Sequence, residues 1–505
     1  MQVIYGLVMS VKLNIFFLAA EAEPFIKIGG LGDIAGSLPA ALRALAEVTP
    51  EIELDIRLAI PFHGAIHRYD YDLHSAAVFN VPHSDGAIRA EAFYIEYKGV
   101  PVYLIAGAPI PPGAPVYSAD ASLDGSKFTF FSLAALELAR TLNWIPHVVH
   151  ANDWHTAPSV YALSLYRKPG SFFFKTTTLL GLHNLPYLGI GAGLALPGYG
   201  LPYAHDSMLP VWAQDLPLPL GLLGADQIVA VSPGYAREIL TPEFGAGLHV
   251  FLRKRAQTIT GILNGLDTRY WNPATDTELS ANYQLDTLER RGTNKFALQH
   301  ELNLPLGPDL PLIGMVTRLD SQKGIDLLPS ALRSLIDLPW QAVLLGSGDP
   351  VLQDALQRLE VEFPQRVRSI VRYDAALSHR IYAGADLLVI PSRYEPCGLT
   401  QMIAMRYGCV PVGSAVGGLL DTILDYDDKI DSTGFLFPGP SSQALASKLR
   451  RAFDVFRDLD AWDGLQHRGM LQDFSWEQSA RHYLDVYRDM VTRRNLVTQS
   501  KGIKR

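Results

Sequence analysis

The sequence VKLNIFFLAA at residues 11–20 and the sequence KIGGL at residues 27–31 place an apolar strand shortly before a glycine turn. An apolar run of this length, followed by glycines and then by a helical pattern, is typical of a buried strand that opens a parallel α/β sheet. The run is shorter than the roughly 20 residues of a transmembrane helix. Charged residues follow it immediately, which argues against a signal peptide. We therefore interpret residues 11–20 as the first buried strand.

Short apolar runs of the same kind recur along the chain and alternate with helical patterns. They lie at residues 54–60, 102–106, 147–150, 178–182 and 227–231 in the first half, and at 312–316, 342–345, 367–371, 387–390 and 410–412 in the second. These runs predict buried parallel strands in doubly wound α/β sheets. Because 505 residues are too many for one ordinary core, we predict two large domains and a terminal helix ending near residue 494. The predicted boundaries are 1–261, 262–475 and, for the helix and a polar tail, 476–505.

Composition argues against several classes of protein. Hydrophobic residues make up 48% and charged residues 19% of the chain, as in a globular protein. The net charge of −8 argues against a nucleic-acid or membrane partner. The two cysteines, Cys397 and Cys409, fit a reducing compartment, and no cluster has the spacing of a metal site. We predict a cytoplasmic protein without a cofactor, in which Met9 is an alternative start to Met1. The oligomeric state is not indicated.

Two motifs near opposite ends of the chain point to a phosphorylated sugar as ligand. The turn with Lys27, Gly29 and Gly30 is expected to offer bare backbone N–H groups and one cation to an anion. The segment from Glu395 to Thr400 holds a carboxylate just ahead of a glycine turn, where it can accept hydrogen bonds from sugar hydroxyls. Alone, the first motif also fits an ordinary strand-to-helix turn. Together the two motifs predict a site shared between the halves of the chain.

Further polar residues follow predicted strands, where open α/β sheets carry their ligand groups. Arg318 and Lys323 follow the run at 312–316, and two cations there suit a diphosphate leaving group, with a solvated basic loop as the alternative. The pairs Asp153-Trp154 and His183-Asn184 follow two runs of the first half. They supply directional hydrogen bonds and a flat ring for a sugar, or they are ordinary loop residues. For the adjacent His155, a structural role is the preferred interpretation.

These motifs resemble the signature segments of the bacterial glycogen synthases and plant starch synthases, which are retaining glucosyltransferases that use ADP-glucose. The resemblance runs from about Val11 to Tyr487. It implies the GT-B architecture, in which two Rossmann-like domains face each other across a deep cleft and the last helix crosses back to the first domain. It also implies that the domains close over the donor to exclude water, because hydrolysis competes with transfer.

The resemblance implies roles for particular residues. Arg318 and Lys323 grip the diphosphate. His183 bonds the glucosyl group, and its carbonyl steadies charge at the anomeric carbon. By residue type, Glu395 fits a nucleophile of the kind that retaining glycosidases use, whereas the resemblance implies that it holds the donor glucose. Tyr373 stacks on adenine or, alternatively, only packs. The implied catalytic residues are Glu395, His183, Asp153, Lys323 and Arg318, and the implied substrate-binding residues are Lys27, Gly29, Gly30, Asp33, Trp154, Asn184, Asn264, Tyr373, Cys397, Gly398, Leu399 and Thr400.

The chain departs from the family pattern in two informative places. Ile403 stands where many GT-B relatives carry a second glutamate, eight residues after the first, and the glycogen synthase branch commonly lacks that glutamate. Lys127-Phe128 stands where the family often shows an Arg-Phe pair. The implied function is glucose transfer from ADP-glucose to the non-reducing end of an α-1,4-glucan, either glycogen or a malto-oligosaccharide. The alternatives are a GT-B transferase with UDP-glucose or another acceptor, and a non-catalytic glucan-binding protein.

Overall fold

The structure is a computed structural model that describes residues 11–428 and 430–502. The alternative start at Met9 lies outside these residues. The chain divides into two compact units. The first unit comprises the chain up to Val231, then Ala236–Gly265, and again the chain from Trp476 on, whereas the second comprises Ser232–Tyr235 and Leu266–Ser475. The division follows Gly265, and the sequence analysis placed the boundary after residue 261. No helix of the described residues is long and apolar enough to cross a membrane.

The first unit is built on one sheet with the strand order β3-β4-β5-β2-β1-β6-β7-β8-β9. The strands are β1 (Val11–Leu18), β2 (Ile52–Pro61), β3 (His74–Val81), β4 (Ile88–Tyr97), β5 (Val100–Gly107), β6 (Val148–Asn152), β7 (Thr177–Leu182), β8 (Gln227–Ala230) and β9 (Ile259–Gly261). All six predicted runs of this half are confirmed as strands. The predicted runs pair in parallel with one another, and β3 and β4, which no run marked, complete one edge, where β3 pairs antiparallel with β4 and β4 with β5. These edge strands are only partly buried, so they lack the apolar runs that revealed the others.

Helices cover this sheet and complete the first core. They are α1 (Gly30–Glu47), α2 (Ala121–Thr141), α3 (Asp153–Tyr166), α4 (Pro217–Gly224), α5 (Pro233–Glu238), α6 (His249–Lys254) and α15 (Trp476–Gly502), of which α5 spans the division at Tyr235. Helix α1 buries Ile34, Leu38, Leu42 and Leu45, which recur at helical spacing. Helix α15 packs against α1, and it continues past its predicted end near residue 494.

The second unit is a parallel sheet with helices on both faces. Its strand order is β12-β11-β10-β13-β14-β15, with all the pairs parallel, and this confirms the prediction of a second α/β domain. The strands are β10 (Leu312–Leu319), β11 (Gln341–Gly348), β12 (Val367–Ile370), β13 (Leu387–Ile390), β14 (Val410–Ser414) and β15 (Phe435–Phe437). The helices are α7 (Arg291–Glu301), α8 (Leu327–Arg333), α9 (Pro350–Glu362), α10 (Ala375–Gly384), α11 (Thr400–Arg406), α12 (Gly417–Thr422), α13 (Ser442–Phe456) and α14 (Leu459–Met470). Two apolar clusters form its core.

Each sheet has one place where the strand order reverses. In the first unit the chain proceeds from β1 outward to β2 and from β6 outward to β7, so the reversal lies between β1 and β6. In the second unit it lies between β10 and β13. Open α/β sheets bind ligands at such a switch point, beyond the carboxyl ends of the two strands. The topology therefore selects the loops that follow β1, β6, β10 and β13.

Candidate active-site groups

Asn152 and Asp153, at the carboxyl end of β6, connect this strand to the carboxyl ends of β1 and β7. Asn152 donates through Nδ2 to the carbonyl of Leu18, 2.9 Å away at the end of β1. Its Oδ1 lies 2.8 Å from Nε2 of His183, which follows β7. Asp153 accepts the backbone N–H of His183 at 2.8 Å. The structure thus brings Asp153 and His183 together, as neighbouring strands allow.

Asp153 and His183 are held in an environment of low polarity. Asp153 has a positive φ of 53°, a strained conformation for a residue with a side chain, and such strain clusters at functional sites. Burial raises the pKa of its carboxyl, although the backbone N–H groups of His183 and Asn184 oppose the shift. Burial lowers the pKa of His183, so the imidazole is neutral at pH 7.

Several buried polar atoms of this unit, Nδ1 of His155 among them, have no hydrogen-bond partner among the described residues, and three of them belong to predicted sugar contacts. These three atoms are Nδ1 of His183, Oδ1 of Asn184 and Oδ1 of Asn264. A buried polar atom without a partner costs about 1–3 kcal/mol, and folded proteins avoid it except where a ligand or water completes the bond. All three residues were predicted from the sequence as substrate contacts. Their unpaired atoms are the strongest ligand signal in the first unit.

The glycine turn differs from its sequence-based interpretation. Glu21 is fully buried, and its carboxylate accepts the backbone N–H groups of Ile28 and, at 3.2 Å, of Gly29. The expectation of bare N–H groups is therefore wrong for these two residues, because the chain supplies its own anion. Gly30 borders open space, since a Cβ there would meet nothing within 4 Å. Sequence reasoning missed Glu21, whose only signal was a carboxylate three residues beyond the end of β1.

Lys27 is paired at the start of α1. Its Nζ lies 2.5 Å from Oδ1 of Asp33 and 3.4 Å from Oε2 of Glu23. Burial lowers the pKa of Lys27, but the two carboxylates outweigh it, so that the pKa is raised. Burial raises the pKa of Asp33 in spite of the lysine. Lys27 and Asp33 form one polar cluster.

Trp154 and His155 pack in an aromatic cluster. The ring centroids of Trp154 and His155 are 4.3 Å apart, and Phe128 lies 5.3 Å from the indole and 4.6 Å from the imidazole. Burial lowers the pKa of His155 to about 3, so its ring stays neutral. This packing fits the structural role preferred for His155. The indole is half-buried and shares its surface with protein rings.

In the second unit, Lys323 and Glu395 meet at the switch point. Lys323 follows β10, and Glu395 follows β13. Nζ of Lys323 lies 2.6 Å from Oε2 of Glu395. The hydroxyl of Ser392 donates to the same oxygen at 2.8 Å. Glu395 is only 5% exposed, so these two partners replace hydrogen bonds to water that burial of the carboxylate removes. Ser392 follows β13, at a strand end where open α/β sheets carry their polar site residues.

The loops that carry this pair are fixed to each other. Arg393 forms a two-pronged ion pair with Asp326, at 2.8 and 2.7 Å, and its backbone N–H donates to the carbonyl of Gln322 at 2.8 Å. Gly324 has a φ of 64°, and a Cβ there would lie 2.0 Å from the carbonyl oxygen of Pro391. Only glycine fits this close approach. The Lys323–Glu395 geometry is therefore built into the backbone.

Arg318 lies near the carboxyl end of β10, whereas Tyr373 lies beyond the end of another strand, and both side chains are exposed. The side chain of Arg318 is 64% exposed, with Nη2 3.4 Å from Oδ2 of Asp320. Tyr373 follows β12 and is 85% exposed. In the sheet order β11 lies between β12 and β10, so Tyr373 does not share the Lys323–Glu395 contact, whereas Arg318 belongs to β10 itself and pairs with Asp320. Both remain predicted ligand contacts.

The segment after Glu395 lies against the start of α12. The backbone N–H of Gly418 donates to the Glu395 carbonyl at 2.9 Å, and a Cβ at Gly418 would lie 2.0 Å from the Cys397 carbonyl oxygen. Gln401 donates to the carbonyls of Cys397 at 3.0 Å and of Gly398 at 2.8 Å. Leu399 and Thr400 begin α11. The predicted motif residues 397–400 thus form one tightly held turn.

Ile403 and Cys409 belong to the apolar core of the second unit. Both are buried in one cluster with Leu388 and Tyr407. This confirms the assignment of Cys409 to the core. It also shows that the position of a second glutamate lies within apolar packing in this chain. A second carboxylate on this turn of α11 is therefore excluded by packing as well as by sequence.

Comparisons with known proteins agree with this geometry. Residues 14–254 match the family model described as the starch synthase catalytic domain, and residues 301–455 match glycosyl transferases group 1. The glycogen synthase of Anaeromyxobacter dehalogenans (strain 2CP-C) is 41% identical over 486 residues, which cover 95% of this chain and 100% of the relative. The glycogen synthase of Desulforudis audaxviator is 36% identical, covering 97% of this chain and 99% of the relative.

Solved structures resemble this one over nearly its full length. The catalytic domain of starch synthase IV from Arabidopsis thaliana, bound to ADP and acarbose, has a TM-score of 0.85 and 33% identity, covering 95% of this chain and all of that one. Sucrose-phosphate synthase from Thermosynechococcus elongatus shares the fold at 19% identity, with a TM-score of 0.61, 95% coverage of this chain and 99% of that one. These findings confirm the predicted GT-B class, in the sense of two parallel-sheet α/β domains. The chain belongs to the glycogen and starch synthase family, and it is a glucosyltransferase that uses a nucleotide-sugar donor and a glucan acceptor.

Proposed function

We propose that this chain transfers glucose from ADP-glucose to the 4-hydroxyl at the non-reducing end of an α-1,4-glucan, with retention of configuration. The choice of ADP is supported by the starch synthase IV structure, which was solved with ADP and acarbose. The exposed ring of Tyr373 offers a flat face on which an adenine base can stack. Glycogen or a malto-oligosaccharide is the proposed acceptor.

The observation that carries this proposal is the contact between Lys323 and Glu395. A cation beside the diphosphate stabilises the charge that develops on the leaving group as the glycosidic bond breaks. A carboxylate beside that cation accepts hydrogen bonds from the glucose hydroxyls. The 2.6 Å contact at the switch point therefore supports a diphosphate group and a sugar group bound side by side on one rigid pair of loops. Arg318 supplies a second cation for the diphosphate.

Glu395 acts in this proposal as a ligand for glucose and not as a nucleophile. Its Oε2 already accepts hydrogen bonds from Lys323 and Ser392, and such bonds withdraw the electron density that a nucleophile needs. Retaining glycosidases use two carboxylates, whereas Ile403 occupies the position of a second one on α11. A mechanism without a protein nucleophile follows, in which the acceptor hydroxyl attacks on the face that the diphosphate leaves.

The first unit supplies polar groups for the transferred glucose and the acceptor. Nδ1 of His183 and the Oδ1 atoms of Asn184 and Asn264 are buried and unpaired among the described residues, and they are proposed to bond sugar hydroxyls. Asp153 fixes the backbone of His183 through its 2.8 Å hydrogen bond, so that the His183 carbonyl can steady charge at the anomeric carbon. Lys27 and the glycine turn are proposed to contact the donor phosphates.

Nucleotide release is the experiment that tests the proposal. The purified full chain is incubated with ADP-glucose or UDP-glucose, each with and without glycogen, and both the released nucleotide and the glucan chain length are measured. We expect ADP release that depends on glycogen and is accompanied by chain elongation. Release from UDP-glucose alone would overturn the proposed donor, and elongation of another sugar acceptor alone would overturn the proposed glucan.

A further inference from the structure

A lysine in α2 is completely buried and uses all of its hydrogen-bond donors. Lys127 has no exposed side-chain surface, and its Nζ contacts Oδ1 of Asp124 at 2.6 Å and the carbonyls of Val116 at 2.8 Å and Pro115 at 3.1 Å. An ammonium group has three N–H donors, so each has one acceptor here. Burying such a charge is costly, and a chain retains it where it orders something.

The segment ordered by this pair surrounds one tyrosine. The second oxygen of Asp124, Oδ2, accepts the backbone N–H of Ser118 at 2.9 Å. Lys127 therefore holds the carbonyls of residues 115 and 116, and Asp124 holds the amide of residue 118. Tyr117 lies between these anchors, so the buried pair fixes its backbone on both sides.

Tyr117 connects the buried pair to the glycine turn. Its hydroxyl interacts electrostatically with the carboxylate of Glu21, and its ring packs 5.0 Å from that of His155. Burial, and then the charge of Glu21, raise the pKa of Tyr117 well above 10.0, so the hydroxyl stays protonated beside the carboxylate. The same carboxylate accepts the N–H groups of Ile28 and Gly29. A continuous series of contacts thus runs from α2 to the turn.

We propose that Lys127 and Asp124 are positioning residues for the reaction, holding Tyr117 against Glu21 so that Glu21 sets the backbone of the Lys27–Gly29 turn. The inference rests on the proposed role of that turn in donor binding. A displacement of about 1 Å at a site that positions a substrate lowers activity by as much as about 100-fold. Removal of either buried partner is therefore expected to act on catalysis as well as on stability.

The test compares variants of the full chain in the ADP-glucose assay. We expect Lys127→Met to lower kcat/KM for ADP-glucose by about 10- to 100-fold, with the far-ultraviolet circular dichroism unchanged. Tyr117→Phe keeps the ring and removes only the hydroxyl, and it is expected to lower kcat/KM as well. Because both changes interrupt one series of contacts, the double variant should lose no more than the worse single variant.

Lys295→Met is the matched control. Lys295 is a buried lysine of the second unit, with Nζ 2.7 Å from Asp386 and 2.8 Å from the Pro308 carbonyl. The Lys295→Met variant is expected to unfold at a lower urea concentration without a change in kcat/KM. A purely structural role predicts the same for Lys127→Met, so wild-type kcat/KM in a folded Lys127→Met would overturn the inference. Additive losses in the double variant would also overturn it.

Two further variants keep the outcome decisive. If Lys127→Met does not fold, Asp124→Asn replaces it in the double variant, because asparagine keeps one oxygen that accepts the Ser118 N–H, whereas its NH2 group cannot accept from Lys127 and the ion pair is lost. Wild-type kcat/KM in Tyr117→Phe overturns the inference in either case. Lys27→Ala separates the two proposals: wild-type activity in that variant refutes the role of the turn, whereas reduced activity there with unaffected Tyr117→Phe refutes only the positioning role.

Discussion

Replacing Lys323 by alanine removes a cation from the switch point of the second unit. The Lys323 side chain is 18% exposed, so its interaction with a phosphate at about 4 Å corresponds to an effective dielectric constant of about 20 and an energy of about 4 kcal/mol. Water that enters the space left by the side chain offsets part of this loss. A remaining loss of about 2–4 kcal/mol in the transition state lowers kcat by about 30- to 1000-fold.

Oε2 of the buried Glu395 carboxylate accepts hydrogen bonds from two side chains, Lys323 and Ser392. The same substitution removes the Lys323 donor and leaves the Ser392 hydroxyl. We expect the free energy of unfolding to fall by about 1–3 kcal/mol. The assay measures kcat and KM for ADP-glucose through ADP release, together with urea unfolding of the same preparation. Lys448→Ala is the control, because Lys448 is 15% exposed and also pairs with carboxylates, at 3.2 and 2.9 Å. It should lose stability but keep kcat. A folded Lys323→Ala with the kcat of the wild type would refute the assignment.

Three further predictions follow from exposure, backbone geometry and burial. Tyr373→Ala should raise KM for ADP-glucose by about 3- to 10-fold, because it removes the ring that stacks on adenine. Stability should not change, since the ring is 85% exposed, and Tyr373→Phe should behave as the wild type. An unchanged KM in the alanine variant would exclude stacking. Gly324→Ala should lower both stability and kcat, because its Cβ would lie 2.0 Å from the Pro391 carbonyl oxygen. Gly292→Ala, whose Cβ would meet nothing within 4 Å, should leave stability unchanged or raise it. Equal effects of the two substitutions would contradict the argument. Burial lowers the pKa of His63 to about 4, so between pH 6.5 and about 4 the unfolded chain binds a proton that the folded chain does not. Stability should therefore fall by up to about 1.4 kcal/mol per pH unit as the pH decreases in this window, and His63→Gln should show a smaller fall in urea unfolding.

Sequence patterns predicted the central strands and the strand ends that carry polar residues. A central strand of a parallel sheet is buried on both faces, so it appears as a continuous apolar run in the sequence. Strands β3 and β4 lie at the edge and are partly exposed, so no such run marked them. The rule that ligand groups follow strands also placed Lys323 and Glu395 near one edge of the second sheet. Their direct contact depends on β10 and β13 being neighbours, which the sequence alone does not state.

The residues that sequence reasoning missed act through contacts between distant segments. Glu21 accepts hydrogen bonds from backbone N–H groups of the glycine turn. Tyr117 interacts with Glu21 from a loop 96 residues farther along the chain, and only the chain topology brings the two residues together. Lys127 was noticed only as a departure from a family pattern. Its buried bonds to residues 115, 116 and 124 give it a physical role.

The amino-acid sequence by itself determined the class of fold, the chemical types of the site residues and the family, because burial period, strand-end position and motif identity are local properties of the chain. The tertiary structure alone decided which of those residues touch, which polar atoms are left unpaired and which backbone N–H groups are already occupied. Those properties depend on distances of a few ångströms between segments far apart in sequence, and such distances are set by the packing of the sheets and helices.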